Sequence, residues 1–348
     1  MRKRLADVSS PRIEVCQSTG TRLQKARRNV LVLIGCDLTV RALKPCTNNG
    51  LKERGMKLGV AGIGKMGAAI AARLIEVGHD VTVWNRTAEK AKAVNGAKVA
   101  ASQTELARGS DAVITILTDA AALDAVYKGP SGLLQGEVAG KLFIDMSTVL
   151  PATEITLAGA VRAKGAVFVE CPVGGSTGPA RQGKLIGLIG AEPEDAARAR
   201  LILEQLCRRL EYAGPVGSGA VLKFTVNLPL MVYWQALGES LALARSLAID
   251  PERLMDLLSD TSGAANVLKV RAPGIASMLK GGSAGPVTFD VDSAIKDMQS
   301  MIAEAKSRGI ELPLVERTVG CYQETKQRRS GNAEISTVSV YWANRDHR

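Results

Sequence analysis

The chain has 348 residues, of which 46% are hydrophobic and 23% charged, a composition typical of a globular protein long enough for two domains. Its net charge of +11 is unevenly spread, because residues 1–55 carry 12 Lys and Arg against 4 Asp and Glu, whereas residues 56–348 carry 33 against 30. The nearly neutral main part argues against a nucleic-acid groove, and no apolar run reaches the roughly 18 residues of a membrane span.

The cysteines and histidines argue against several kinds of site. The six cysteines include no CxxC pair and no His partner at metal spacing, so we expect neither a disulfide framework nor a metal, and a reducing cytoplasm is the predicted location. The two histidines, His79 in a Gly-His-Asp turn and His347 near the end, are poorly placed for a catalytic dyad. This argues against Ser-His-Asp hydrolysis and against dehydrogenases that use a histidine acid.

Residues 1–55 have a composition unlike the rest of the chain. They are rich in arginine, poor in acid and without periodicity apart from residues 30–34, which is typical of an organelle transit peptide. A second interpretation is that Met56, which opens the first recognisable motif, is the natural start and that the upstream part is a misassigned leader. Either interpretation predicts a poorly ordered segment.

A βαβ unit begins at Met56. Its apolar strand, residues 58–61, is followed by a glycine-rich turn, a helix over residues 68–77 and a second strand over residues 81–84. The turn resembles a dinucleotide-binding fingerprint, with one glycine for the tight turn, one for close approach to a pyrophosphate and one for helix packing. The predicted cofactor-binding residues here are Gly62, Ile63, Gly64, Lys65, Met66 and Gly67.

The end of the second strand indicates the cofactor. An NAD-specific enzyme usually has an acid there for the ribose 2′-hydroxyl, but this chain has Asn85, Arg86 and Thr87. A guanidinium can form paired hydrogen bonds to a 2′-phosphate, so we expect NADP(H), with NAD as the weaker alternative. The alternative structural interpretation is a surface arginine on a turn.

Further elements alternate along the chain. Strands are predicted over residues 112–117, 142–144, 167–169 and 185–189, and helices over residues 119–127 and 151–164. Such alternation predicts a doubly wound, mostly parallel sheet with helices on both faces, whose ligands sit at the carboxyl ends of the strands. Leu117 and Thr118, at one such end, are therefore also assigned to the cofactor.

Two loops past predicted strands carry hydroxyls and exposed backbone amides that can hold a small carboxylate. The alternative for both is turn chemistry, as helix caps or bends. The candidate substrate-binding residues are Ser147 and Thr148 in the first loop, and Gly174, Gly175 and Ser176 in the second.

Lys223 is the only charged residue between Ala220 and Gly238. Burial in such an apolar segment disfavours the charged form of a lysine and lowers its pKa, which makes Lys223 a candidate acid/base. On a helix, Asn227 lies on the same face, where its amide can hold the amine or a shared substrate. The alternative is a snorkelling lysine on a buried helix.

The order of these motifs resembles the β-hydroxyacid dehydrogenase family over nearly all of residues 56–326. The resemblance rests on GIGKMG at 62–67, DMST at 145–148, ECPVGGS at 170–176, GSG at 217–219 followed by Lys223 and Asn227, and KDM at 296–298. Residues 81–87 and the Gly175-Ser176 pair look most like NADPH-dependent glyoxylate and succinic semialdehyde reductases. The 3-hydroxyisobutyrate dehydrogenases and tartronate semialdehyde reductases are close relatives.

The resemblance implies roles for several residues. Lys223 is the catalytic lysine, Asn227 its partner in holding substrate, Ser147 and the loop over 174–176 bind the carboxylate, and Lys296 lies near the nicotinamide. Cys171 and Gly174 depart from the common family loop, which has alanine and serine at these positions.

The part after Gly217 is predicted to be helical, which gives a Rossmann-type domain over residues 56–217, an all-α domain over 218–330 and a fraying tail over 331–348. The helix expected over residues 220–248 is apolar nearly all round, so we expect its own domain and a second subunit to bury it. Pro229 is expected to kink it. The resemblance likewise implies a homodimer or homotetramer.

The expected reaction is hydride transfer between NADPH and a short aldehyde-acid, with Lys223 giving and taking the proton. Alternatives are an NAD-linked 3-hydroxyisobutyrate dehydrogenase or a tartronate semialdehyde reductase. Imine reduction on the same fold is disfavoured, because the resemblance implies a different side chain at the Lys223 position for that reaction. A non-catalytic NADP-binding module, with the basic leader on nucleic acid, is disfavoured by the retained site residues. Neither a nucleic acid nor a membrane is an expected partner.

Overall fold

The computed structural model describes residues 55–345. The two interpretations of the leader concern residues that, apart from Gly55, lie outside this range, as does His347. Within the described part of the chain, no helix is both long and apolar enough to cross a membrane.

The first half alternates strands and helices. The strands are β1 Lys57–Ala61, β2 Asp80–Trp84, β3 Lys98–Val99, β4 Ala112–Thr115, β5 Leu142–Asp145, β6 Val167–Glu170, β7 Val173–Gly174, β8 Leu185–Gly190 and β9 Cys207–Gly214. The helices are α1 Lys65–Glu76, α2 Ala88–Lys92, α3 Gln103–Gly109, α4 Ala120–Lys128, α5 Pro151–Arg162, α6 Thr177–Arg181 and α7 Pro193–Leu206.

The strands form one sheet in the order β3-β2-β1-β4-β5-β6-β8-β7, with β9 paired to β8. Neighbours from β3 to β6 are parallel, β8 runs antiparallel to β6 and β7, and β9 is parallel to β8. The register places Ala61 beside Trp84 and Thr115, and Thr115 beside Asp145. The carboxyl ends of these strands therefore meet at one edge, which confirms the predicted doubly wound sheet and places the loops that follow β1, β2, β4 and β5 together.

Side chains alternate between the two faces of the sheet. On β5, Leu142 and Ile144 belong to an apolar core shared with α1 and α7, whereas Phe143 belongs to a core shared with α3, α4 and α5. All three are almost completely buried. A strand covered by helices on both faces reads as a continuous apolar run, which is why these strands could be predicted from sequence.

The second half is helical, as predicted, and has its own apolar core. Its helices are α8 Ser218–Ala244, α9 Pro251–Ser259, α10 Val267–Leu279, α11 Val291–Ser307, α12 Pro313–Arg328 and α13 Thr337–Ala343.

The long helix α8 contains Pro229 and continues past it. The expectation that its own domain and a second subunit together bury it stays a prediction, because Val226 is 48% exposed and Leu243 85% exposed within one chain. Two large apolar side chains of α8 thus remain exposed within one chain.

The predicted fraying after residue 329 is wrong for the part described up to residue 345. Helix α13 packs on α8, with Val338 and Ser339 fully buried and the Ser339 hydroxyl donating to the Trp234 carbonyl oxygen at 2.5 Å. Gly238 of α8 allows this approach, because an added Cβ would lie 2.9 Å from the Ser339 carbonyl oxygen. The segment is polar on average, which is why fraying was predicted, but α13 has a short apolar face that packs on α8.

Candidate active site

The glycine-rich turn joins β1 to α1, and each of its three glycines has a distinct environment. Gly62 has φ +99°, and a Cβ there would lie 2.3 Å from the Ile116 carbonyl oxygen. A Cβ on Gly67 would lie 2.0 Å from the Gly62 carbonyl oxygen, so this glycine lets α1 pack on the turn. A Cβ on Gly64 would meet nothing within 4 Å. The turn is therefore tight on the inside and open above Gly64, which fits a diphosphate at the N-terminus of α1.

Two adjoining cavities open at the carboxyl edge of the sheet, and together they are lined by all the predicted cofactor residues. The first, of about 360 Å³, is lined by eight of them: Gly62, Ile63, Gly64, Asn85, Arg86, Thr87, Leu117 and Thr118. The second, of about 540 Å³, is lined by the other four: Lys65, Met66, Gly67 and Lys296. Gly64, Leu117 and Thr118 line both, so the two cavities form one continuous groove over the glycine-rich turn.

The side chains at the end of β2 have separate roles. The Asn85 Oδ1 accepts a hydrogen bond from the Ile63 amide at 2.9 Å, and its Nδ2 donates to the Thr87 carbonyl oxygen at 3.0 Å, so Asn85 fixes the glycine-rich turn. Arg86 is exposed and makes no hydrogen bond or ion pair with residues 55–345, which leaves its guanidinium available to a ligand in the first cavity.

Lys90 also lines both cavities, and the sequence analysis missed it. It lies on α2, four residues after Arg86. Helical spacing after the Asn-Arg-Thr motif is the signal that could have found it.

The second cavity lies between the two halves of the chain. Its walls include Met146, Thr148 and Val173 from the first half and residues 288–290 and 292–293 from the second. An ion pair of 3.3 Å joins the Lys65 amine to the Asp290 carboxylate across it. Asp290 also caps α11 by accepting from the Ser293 amide at 2.9 Å. The glycine-rich turn is thus tied directly to the helical half.

Lys223 lies on α8, is only 8% exposed and faces the same wall. Its Nζ donates to the Val173 carbonyl oxygen at 2.7 Å and to the Asn227 Oδ1 at 3.2 Å. Burial lowers the pKa of Lys223 to about 8, Asp297 acts to raise that pKa and Lys296 acts to lower it. The predicted desolvated lysine and its amide partner are both present. Lys223 does not itself line the cavity, but Val173, whose carbonyl oxygen accepts its hydrogen bond, does.

Lys296 and Asp297 of α11 line the second cavity. The Lys296 Nζ donates to the carbonyl oxygens of Thr118 at 3.1 Å and Thr148 at 2.7 Å, and it pairs with the Asp297 Oδ1 at 2.8 Å. Lys296 therefore clamps two loops of the sheet to α11. Burial raises the pKa of Asp297, although Lys296 and then Lys223 act to lower it. The sequence analysis included Asp297 in the KDM motif but assigned it no role.

The two predicted substrate loops have different positions. Thr148 lines the second cavity, but Ser147 is buried beneath it. The Ser147 hydroxyl donates to the Asp145 Oδ1 at 3.0 Å and accepts from the Leu117 amide at 2.9 Å. Both of these bonds are structural, so Ser147 holds the loop together and does not point into the cavity.

The loop after β6 is also displaced from the cavity. Gly174 pairs with Ile186 of β8, Gly175 is exposed with φ +119°, and Ser176 is the N-cap residue of α6. None of these three residues is among those that line the two cavities, whereas their neighbour Val173 is. The structure therefore brings together the lysine, its amide partner, Thr148 and the cofactor residues, but not the glycine-serine loop.

Comparison with known proteins identifies the family. A family model described as the NAD binding domain of 6-phosphogluconate dehydrogenase matches residues 57–214, and one described as NAD-binding of NADP-dependent 3-hydroxyisobutyrate dehydrogenase matches residues 217–341. Glyoxylate/succinic semialdehyde reductase 2, chloroplastic, of Arabidopsis thaliana is 30% identical over 302 residues, which cover 86% of this chain and 82% of the relative. A 3-hydroxyisobutyrate dehydrogenase of Pseudomonas aeruginosa is 33% identical over 258 residues, which cover 73% of this chain and 86% of the relative. The chain belongs to the β-hydroxyacid dehydrogenase family.

The fold of this β-hydroxyacid dehydrogenase agrees with solved structures. The 3-hydroxyisobutyrate dehydrogenase of Salmonella typhimurium superposes with a TM-score of 0.73 at 21% identity, covering 82% of this chain and 99% of that one. The predicted fold class, family and NAD(P)-dependent oxidoreductase function are thereby confirmed.

Proposed function

We propose that this β-hydroxyacid dehydrogenase uses NADPH to reduce a short aldehyde-acid to its hydroxy acid, with Lys223 as the proton donor. The observation that carries the proposal is the buried Lys223 amine bonded to the Val173 carbonyl in the wall of the second cavity. With a pKa of about 8, this amine can both give and take a proton near neutral pH.

The residues of the chain have separable tasks in this reaction. Bound NADPH supplies the hydride that reaches the aldehyde carbon. The Lys223 ammonium turns from the Val173 carbonyl to the aldehyde oxygen and donates a proton there, which leaves a neutral amine. Asn227 holds that amine through its Oδ1. In the reverse direction the neutral amine takes the proton from the hydroxyl group of the hydroxy acid.

The size of the second cavity limits the substrate class. Its 540 Å³ must also admit part of the dinucleotide, which leaves room only for a small acid. Of its lining lysines, Lys65 and Lys296 pair with Asp290 and Asp297, whereas Lys90 has no carboxylate partner among the described residues and is the cation open to an anion. The relatives named as semialdehyde reductase and hydroxyisobutyrate dehydrogenase act on acids of this kind. We place the substrate carboxylate at Thr148, with the amides of residues 174–176 reaching it after movement of the β7 loop.

The preference for NADPH rests on the first cavity. Arg86 is unpaired among the described residues there, Lys90 stands four residues away, and Asn85 occupies the position of the acid expected in an NAD enzyme. Two cations and no carboxylate among the residues that line the first cavity favour a 2′-phosphate.

Exposed apolar side chains on and near α8 and α9 support a homodimer. Leu247 and Leu257 are exposed by 54% and 57%, in addition to Val226 and Leu243. Apolar side chains at such density on one helical half are typical of an interface between subunits. Sedimentation equilibrium is expected to give twice the chain mass.

The test is a panel of glyoxylate, succinic semialdehyde, tartronate semialdehyde and methylmalonate semialdehyde with NADPH and NADH. In the best pair, Lys223→Ala is expected to lower kcat by roughly 10²- to 10⁴-fold, with the Kd for NADPH unchanged. Lys306→Ala, which removes an exposed lysine of α11, is the matched control and is expected to behave as wild type. Near-normal turnover of Lys223→Ala would exclude Lys223 as the donor.

A further inference from the structure

Glu170, at the end of β6, is a buried carboxylate built into the start of α8. It is fully buried, its Oε2 accepts from the Gly217 amide at 2.6 Å, and its Oε1 accepts from the Ala220 amide. A Cβ on Gly190 would lie 2.3 Å from the Oε2, and one on Gly219 would lie 3.1 Å from the Cδ. The carboxylate therefore fits only because its neighbours are glycines.

The start of α8 needs a cap from elsewhere in the chain. Its N-cap residue is Gly217, with φ +98° and no side chain to accept a hydrogen bond. The first amides of a helix lack partners within the helix and carry partial positive charge. Glu170 supplies the acceptor across the interior from another element, and α8 carries Lys223 one turn later.

Two connections of similar length join Glu170 to the Lys223 amine. Along the backbone, Val173 lies three residues after Glu170, and its carbonyl oxygen accepts from the Lys223 Nζ at 2.7 Å. Across the interior, the Glu170 carboxylate holds Ala220, and Lys223 lies three residues further along α8. Glu170 is thus connected to Lys223 both through Val173 and through α8. The position of α8 relative to the end of β6 therefore sets where the Lys223 amine lies against the Val173 carbonyl.

Glu170 has other acids nearby. Burial raises its pKa to about 7, the amides of Gly217 and Ala220 act to lower it, and Asp145 on β5 acts to raise it. Glu154 on α5 also interacts with it electrostatically, and Glu170 acts to raise the pKa of Glu154. The hydrogen bonds to this carboxylate come from helix amides alone. Burying a carboxylate without a cation costs folding free energy, which a contact with a structural role only would not require.

We propose that Glu170 is a positioning residue that sets the Lys223 amine against the Val173 carbonyl and hence against the substrate oxygen. This inference rests on the proposed function of Lys223. Glu170 touches neither cavity, so it acts only through α8 and the β6 end.

The experiment is a double-mutant cycle between Glu170→Gln and Lys223→Ala, measured as kcat with saturating NADPH. A glutamine keeps the size of the side chain but turns an NH₂ group toward one helix amide. Glu170→Gln alone is expected to lower kcat by about 10- to 100-fold, because a misplaced acid loses its alignment. In the Lys223→Ala background the same change is expected to cost less than about 2-fold, since the group that Glu170 positions is already gone.

The outcomes separate this inference from the proposed function. A normal kcat for Lys223→Ala contradicts the proposed function. If Lys223→Ala does lower kcat, but Glu170→Gln lowers kcat by the same factor with and without Lys223, the role of Glu170 is contradicted. The Kd for NADPH, measured by fluorescence, is expected to be unchanged in Glu170→Gln, and a rise of 10-fold or more would contradict positioning.

Two further variants control for folding. Asp250→Asn makes the same chemical change at the carboxylate that caps α9 through the Glu252 and Arg253 amides, and kcat is expected to be unchanged. Glu170→Asp keeps the charge, and it is expected to fold even where the glutamine variant does not. Its kcat is expected to fall between those of wild type and Glu170→Gln, and a wild-type value would contradict the proposal.

Discussion

Replacing Lys223 by methionine should stabilise the protein at neutral pH while it removes the proposed acid. The pKa of Lys223 is lowered from 10.5 to about 8, mainly by burial. Each pKa unit corresponds to about 1.4 kcal/mol, so the charged amine costs about 3 kcal/mol of folding free energy below pH 8.

The sign of the pH dependence follows from proton binding. Between pH 8 and 10.5 the unfolded chain holds a proton on this lysine and the folded chain does not, so folding stability rises with pH in this window. The penalty is complete below pH 8 and vanishes above pH 10.5. The stability gained by Lys223→Met should therefore decrease by about 2.5 kcal/mol between pH 7 and pH 10.

The assay is urea unfolding of wild type and Lys223→Met at both pH values. Loss of the hydrogen bond to the Val173 carbonyl adds a cost that is the same at both, so it cancels in the comparison. Lys306→Met, on the exposed end of α11, should show no such pH dependence. A difference between wild type and Lys223→Met that does not change with pH would refute a desolvated Lys223.

Four further predictions concern the cofactor groove. Gly67→Ala is expected to destabilise the fold by about 1–3 kcal/mol in thermal unfolding, because its Cβ would meet the turn backbone. Gly64→Ala is expected to leave stability unchanged, since its Cβ meets nothing within 4 Å, yet to raise the Kd for NADPH in a binding titration. An unchanged Kd would show that the diphosphate does not bind over Gly64. Asn85→Ala is expected to raise the Kd values for NADPH and NADH by similar factors, because it removes the acceptor of the Ile63 amide in the glycine-rich turn. A rise in the Kd of one cofactor only would contradict this. Arg86→Asp is expected to raise the Kd for NADPH about 10- to 100-fold and that for NADH much less, and equal changes would refute the 2′-phosphate assignment.

Much of this fold and groove could be predicted from the sequence because the signals were local. The apolar runs of β1, β4 and β5 and the glycine spacing follow from strand burial and turn sterics. Lys223 and Asn227 could be paired because helical spacing alone places them together.

The remaining features depend on contacts between distant segments. Three features each join residues tens of positions apart in the sequence. They are the hydrogen bonds of the Ser147 hydroxyl, the glycines that surround Glu170, and the packing of α13 on α8. Helix α7 and strand β9, which lie between predicted elements, were missed because charged side chains break their apolar pattern.

The central claim is that the Lys223 amine carries the proton of the reaction, and single-turnover hydride transfer measured against pH in both directions tests it most directly. The rate constant for reduction is expected to fall about 10-fold per pH unit above pH 8, and that for oxidation to fall likewise below pH 8. Both transitions should disappear in Lys223→Ala. Unchanged transitions in that variant would show that another group carries the proton.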